Sequence, residues 1–189
     1  MNICVYGSSS EMIDKEYMTI SENFGEELTK KGYGLVFGAG KVGLMGAVSR
    51  GAKRAGNENI IGVVPEFFVG EHILADCCKE MVYTDTMRQR KQYMEDNSEI
   101  FVMLPGGIGT YDEFFEILTL KQLGQHTKQI IIFDINDFFK PLLAFIQNAI
   151  DKDFMAPTCL KLFDYCTSSE QVFEAIENYK HDADEDYIL

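Results

Sequence analysis

The residue types best placed to do chemistry stand together in Pro105-Gly106-Gly107-Ile108-Gly109-Thr110-Tyr111-Asp112-Glu113, a glycine-rich turn that ends in carboxylates. Glycines there permit positive φ and close backbone approach, and a helix beginning in the turn aims free N–H groups at an anion such as a phosphate. Glu113 can act as an acid or base, or simply as a favourable partner for the helix dipole. A second cluster, Met87-Arg88-Gln89-Arg90-Lys91-Gln92-Tyr93-Met94, is basic within a strongly acidic chain. Helical spacing puts Met87, Arg90/Lys91 and Met94 on neighbouring parts of one face, and the planar guanidinium of Arg90 can hold a carboxylate or phosphate through two N–H groups. The plainer alternative is a solvated helix face paired with Glu95 or Asp96.

Two further small-residue turns follow apolar runs. Gly7-Ser8-Ser9-Ser10 comes after Asn2 to Tyr6, and Gly38-Ala39-Gly40-Lys41-Val42-Gly43-Leu44-Met45-Gly46 comes after Tyr33 to Phe37. Gly7, Ser8, Gly38, Gly40, Gly43 and Met45 are the substrate-binding candidates in these turns. The second has G-x-G-x-x-G spacing, but the acidic residue that would bind a ribose is missing from the apolar stretch Ile60 to Val64, which argues against a nicotinamide cofactor. No Gly-Lys-Ser/Thr follows, so it is not a phosphate loop of the nucleoside-triphosphatase kind either.

These turns must be held by something, and the hydrophobic pattern says what. Strands are expected at Asn2 to Tyr6, Tyr33 to Phe37, Asn59 to Val64, Glu80 to Tyr83, Ile100 to Leu104 and Gln129 to Phe133, with a weak one near Phe163 to Tyr165. Helices are expected at about Ile13 to Lys31, Val42 to Ala55, Thr86 to Asn97, Thr110 to Gln122, Asp137 to Ile150 and Ser169 to Tyr179. The stretch Pro65 to Lys79 reads as a mixed connection with room for a short helix or lid. Strands alternating with helices across short turns predict an α/β fold, a doubly wound, Rossmann-like parallel sheet with helices on both faces. One domain over residues 1–180 and an acidic tail over 181–189 complete the reading. In such a sheet ligands bind beyond the carboxyl ends of the strands, where all three glycine turns fall.

Composition narrows the function classes. The chain has 189 residues, 46% of them hydrophobic, and a formal net charge of −13. That charge disfavours nucleic acid and anionic membrane surfaces as partners, and any phosphate site must be built locally from backbone N–H groups and a few cations. No apolar run approaches the roughly 20 residues of a membrane span. The N-terminal residues lack a secretory pattern, so a cytoplasmic location is expected. Five cysteines, Cys4, Cys77, Cys78, Cys159 and Cys166, form no metal-type spacing and are expected to be reduced, with Cys4 a small apolar core residue.

Taken together, the Gly-Leu-Met-Gly turn at 43–46, the Met-x-x-Arg-Lys-x-x-Met helix at 87–94 and the Pro-Gly-Gly-x-Gly-Thr-x-x-Glu turn at 105–113 resemble the LOG family. Its members are cytokinin riboside 5′-monophosphate phosphoribohydrolases, formerly often labelled lysine decarboxylases. The similarity runs from Asn2 to about Tyr179 and includes Gln122-Leu123-Gly124 and His126. It implies hydrolysis of the N-glycosidic bond of a nucleoside 5′-monophosphate, a cytokinin precursor or AMP, without cofactor or metal, by a homodimer. It also implies that Arg90 and Glu113 are the catalytic pair, that Gly106, Gly107, Gly109 and Thr110 bind phosphate, and that Lys91 and Thr119 contact substrate. Glu116, one turn beyond Glu113, is a possible assistant. The chain departs from the family at His72, where relatives carry an acidic residue, and His72 is a second possible assistant. Two rivals stand beside this reading: a non-catalytic nucleotide-binding or carrier protein of the same fold, and a pyridoxal-phosphate decarboxylase, for which only Lys41 and Lys91 are near enough to form a Schiff base.

Overall fold

The apolar runs Asn-Ile-Cys-Val-Tyr, Gly-Leu-Val-Phe and Gln-Ile-Ile-Ile-Phe carry no alternation of polar residues, which is the signature of strands covered on both faces. The computed structural model describes residues 1–68 and 74–179. It forms strands β1 (Asn2–Tyr6), β2 (Gly34–Phe37), β3 (Ile60–Pro65), β4 (Glu80–Thr84), β5 (Ile100–Met103), β6 (Gln129–Phe133) and β7 (Asp164–Cys166). Between and after them lie helices α1 (Lys15–Lys30), α2 (Gly43–Arg54), α3 (Met87–Asp96), α4 (Ile108–Gln122), α5 (Lys140–Asp151) and α6 (Ser169–Asn178). All strand pairs are parallel, in the order β4-β3-β2-β1-β5-β6-β7.

Strand order turns around at β1. The chain first winds outward to β4, then returns to place β5 on the other side of β1, opening a crevice at the carboxyl ends of these two strands. Alternate β1 residues feed separate cores. Ile3 and Val5 pack with Phe24 and Leu28 of α1, Leu44 and Val48 of α2 and Phe173 of α6, whereas Cys4 and Tyr6 pack with Met94 of α3, Phe114 and Ile117 of α4 and Ile146 of α5. Helices on both faces therefore bury the central strands β1, β2, β5 and β6, as the sequence pattern implies, in a single α/β domain.

The helix ends show why some boundaries shift. Asp14 accepts from the Glu16 N–H, so α1 begins at Lys15 rather than Ile13. Asn136 and Asp137 have φ of 54° and 60°, which no helix tolerates, so α5 begins at Lys140 rather than Asp137. Conversely α4 starts at Ile108, two residues before Thr110, because Gly107 takes the extended capping conformation. A short 3₁₀ turn at Glu66–Phe68 falls in the connection that had room for a short helix, whereas the one at Pro157–Lys161 escaped the sequence pattern. The acidic tail expected at 181–189 and part of the connection after β3 lie outside the described residues. Among the described residues no helix is long and apolar enough to cross a membrane.

Helices α1 and α2 cross with their backbones nearly touching. A Cβ on Gly25 would fall on the Val48 carbonyl, and one on Gly51 would fall on that of Glu22. Since the obstacle is backbone on both sides, Gly25→Ala is expected to cost about 1–3 kcal/mol. A urea unfolding midpoint equal to that of the parent protein would show that the helices can separate at no cost.

Candidate active site

The crevice begins with the start of α3. Thr86 caps it by accepting from the Gln89 N–H at 3.2 Å while the Gln89 side chain accepts from the Thr86 N–H, a reciprocal capping box. This fixes the helix phase and points Arg90, one turn in, toward the carboxyl end of β3. Arg90 Nε donates to the Val63 carbonyl at 3.1 Å, and a terminal guanidinium nitrogen donates to Glu113 Oε1 at 2.6 Å. The other terminal nitrogen occupies the place where a Cβ on residue 38 would sit. Gly38 thus makes room for an arginine, while it also lines the cavity onto which the glycine turns open.

Arg90 and Glu113 are 6% and 7% exposed, so the pair is an ion bridge between α3 and α4 with little solvent. Burial raises the Glu113 pKa above the ordinary 4.5, with the Arg90 charge and hydrogen bond partly offsetting it. Beneath the pair, burial also pushes the Tyr6 phenol well up and the Cys4 thiol up to about 12, so both remain neutral. Cys4 is fully buried, in keeping with the apolar role expected of it.

Above Glu113 opens a cavity of about 510 Å³. Its walls bring together Gly7, Ser8, Gly38, Gly40, Met45, Arg90, Gly107, Gly109, Thr110 and Glu113, residues drawn from all three glycine turns and from α3. At one rim α4 begins at Gly107 with no side-chain cap and no acidic residue in its first turn. Its leading N–H groups are thereby left for an anion. Two glycines act from behind: Gly43, at φ 64°, lets α2 approach the Ser8 carbonyl, which accepts from the Leu44 N–H at 2.8 Å, and Gly106 leaves room for the Thr110 side chain.

Three candidates lie elsewhere. Lys91, Glu116 and Thr119 line a second hollow between α3 and α4, which meets the first only at Ile108. The reason is angular: Lys91 follows Arg90 by about 100° around α3, and its ammonium is drawn to Asp112 at 2.9 Å and to Glu116. Thr119 spends its hydroxyl on the Phe115 carbonyl at 2.7 Å. In this single chain neither Lys91 nor Thr119 lines the cavity. Lys41 is likewise absent from the cavity wall. His72 lies outside the described residues. Met94 is wholly buried core.

Sequence reasoning overlooked the apolar wall of Val64, Pro65, Phe68, Leu74 and Ile108. The exposed Phe67-Phe68 pair directly after β3, ring centroids 4.6 Å apart, was the available signal, since large aromatics are out of place at a strand's solvent end. Among the described residues there is no cluster of three or more His, Cys, Asp or Glu that could hold a metal ion.

A family model described as possible lysine decarboxylase matches residues 45–176, which contain both members of the buried pair. Cytokinin riboside 5′-monophosphate phosphoribohydrolase LOG2 of Arabidopsis thaliana is 33% identical over 182 residues, 95% of this chain and 85% of that protein. The chain belongs to the LOG family. A probable member from Oryza sativa subsp. japonica, LOGL6, is 34% identical over 95% of this chain and 72% of its own length. Among solved structures, TM1055 superposes with a TM-score of 0.72 at 23% identity, covering 95% of this chain and all of that one. The molybdenum cofactor binding protein of Rippkaea orientalis superposes with a TM-score of 0.68 at 20% identity, over 93% and 95% of the two chains. At those identities the likeness is one of fold, so the LOG assignment rests on the family model and the sequence relatives.

Proposed function

We propose that the protein hydrolyses the N-glycosidic bond of a nucleoside 5′-monophosphate, releasing the free base and ribose 5-phosphate. The observation that carries this reading is the buried Glu113 carboxylate, held by Arg90 on the floor of a cavity rimmed by the uncapped start of α4. In a protein of net charge −13 a phosphate is best received by backbone dipoles, and the first N–H groups of α4 supply them where fixed cations are scarce. Phosphate seated there sets the ribose over Glu113, one turn further along the helix.

Glycosidic cleavage passes through an oxocarbenium-like state with positive charge at the anomeric carbon. A carboxylate in a site shielded from water stabilises that charge strongly and can also take a proton from the attacking water. Arg90 keeps Glu113 oriented and opposes its protonation. The apolar wall of Val64, Phe68 and Leu74 offers a face for the departing base.

The test is incubation with AMP and N6-substituted AMP, followed by chromatography for free base. Base release that requires the 5′-phosphate supports the proposal; tight nucleotide binding with no release transfers the site to the carrier reading.

The pH dependence follows from the raised Glu113 pKa. The native state holds that proton more tightly than the unfolded chain does. This group's contribution to stability is therefore greatest below the unfolded pKa, declines as pH rises toward the folded pKa, and is level above it. Activity runs the other way, because the ionised form is needed. The acid limb of kcat/KM is expected above the ordinary glutamate value of 4.5. An acid limb at or below that value would remove Glu113 as the group that titrates.

A further inference from the structure

Cys77 and Cys78 are adjacent, half-buried thiols on the stretch that leads from the cavity wall to β4. Both ends of that stretch are anchored. Leu74 lines the cavity and forms an antiparallel bridge with Gly40, while Ala75 N–H donates to the Ala39 carbonyl at 2.8 Å. On the far side, Lys79 N–H donates to the Ile60 carbonyl at 2.9 Å. Cys78 Sγ packs over β3, 2.8 Å from where a Cβ on Gly62 would lie, so that glycine leaves room for the sulfur. Ser49 and Lys53 of α2 are polar neighbours that act on the Cys77 thiol.

We propose that Cys77 and Cys78 form a dithiol that hydroperoxides oxidise to a vicinal disulfide, and that ring closure disturbs the Leu74 wall of the cavity. Its bearing on activity rests on the nucleotide reading above; the chemistry itself does not.

The neighbouring Cys78 thiol draws the Cys77 pKa down, against burial, with Ser49 and Lys53 acting in the same direction. Cys4, Cys159 and Cys166 are instead raised by burial, so the reactive thiolate forms at Cys77 first. Its sulfur attacks the peroxide O–O bond, giving a sulfenic acid and releasing one water. The Cys78 sulfur then attacks the sulfenic sulfur, the S–S bond forms and a second water leaves. The two thiols lose two hydrogens and two electrons, and hydrogen peroxide is reduced to two waters.

Closure has a geometric consequence. Adjacent Cα atoms stand about 3.8 Å apart across a trans peptide, short of the roughly 4.4–6.8 Å that disulfides span. The ring therefore twists the backbone at residues 77 and 78, and the constraints that flank it and take up the strain are the Lys79–Ile60 hydrogen bond on one side and the Ala75–Ala39 hydrogen bond with the Leu74–Gly40 bridge on the other. A strained bond of this kind is easily reduced again, as suits a reversible modification.

The full-length reduced protein is treated with graded hydrogen peroxide, quenched in acid with an alkylating agent, and analysed by intact and peptide mass spectrometry. The expected product has lost about 2 Da on the peptide holding Cys77 and Cys78 and regains it with dithiothreitol. Cys77→Ser should not form it. In hydrogen exchange, the segments containing Leu74–Ala75 and Ala39–Gly40 should exchange at least about tenfold faster in the oxidised form. Equal oxidation of Cys4, Cys159 and Cys166, an intermolecular disulfide, or the same mass loss in Cys77→Ser overturns the dithiol. Unchanged exchange overturns its link to the cavity. Both readouts are independent of nucleotide turnover, so failure of AMP hydrolysis leaves them decisive.

Discussion

Glu113→Gln is expected to lower turnover of a nucleoside monophosphate by about 10²–10⁴-fold while leaving its binding nearly intact. The substitution keeps the shape of the side chain and an oxygen that can accept from Arg90, so the floor of the cavity should hold its form. What is lost is negative charge beside the anomeric carbon and the ability to take a proton from water. A carboxylate that acts in the transition state alone should show its loss in kcat, with KM moving little. Steady-state kinetics on AMP, with ribose 5-phosphate binding measured by calorimetry, separate these quantities. Turnover within a few-fold of the parent enzyme would remove Glu113 from the chemistry.

Arg90→Met should act first on stability, by about 3–5 kcal/mol at neutral pH, because it strands a buried carboxylate without its cation. The guanidinium also satisfies the Val63 carbonyl and fills the space above Gly38, so the variant loses a hydrogen bond and packing as well. Without Arg90, Glu113 is expected to titrate still higher, since the largest opposing influence on its pKa is gone. The destabilisation should therefore shrink on acidification, as the stranded carboxyl becomes neutral and its burial less costly. Pairing the change with Glu113→Gln should recover part of the loss at neutral pH. Urea denaturation of the single and double variants across pH measures this coupling, and a loss under about 1 kcal/mol would mean that the pair is solvated.

Lys91 illustrates how neighbours in one motif can face different hollows. It adjoins Arg90 in a basic run, yet one residue of helical rotation sends it to Asp112 and Glu116 in a separate hollow. There it ties α3 to α4, which indirectly keeps Arg90 opposite Glu113. Gly38 carries a role that its turn does not announce, for its missing side chain accommodates the guanidinium.

Local physics alone determined a great deal. Unbroken apolar runs specify β1, β2, β5 and β6, since only strands covered on both faces can be so uniformly hydrophobic. Their alternation with helices requires parallel pairing by right-handed crossovers, and that places every glycine turn at one end of the sheet. Arg90 and Glu113 were legible as a pair because their motifs, taken together, resemble a known family. Boundaries near Asn136 and Asp137 were not legible, since positive φ depends on the Asp134 side chain accepting from the Phe139 N–H and on packing from distant residues. Nor was the apolar wall, because Val64, Leu74 and Ile108 come from separate segments and share a surface only after β3 and β5 are placed by the sheet. Position along a chain records which groups are present. Which of them face one another is settled by helix phase, strand order and long-range packing, none of which has a short-range signature.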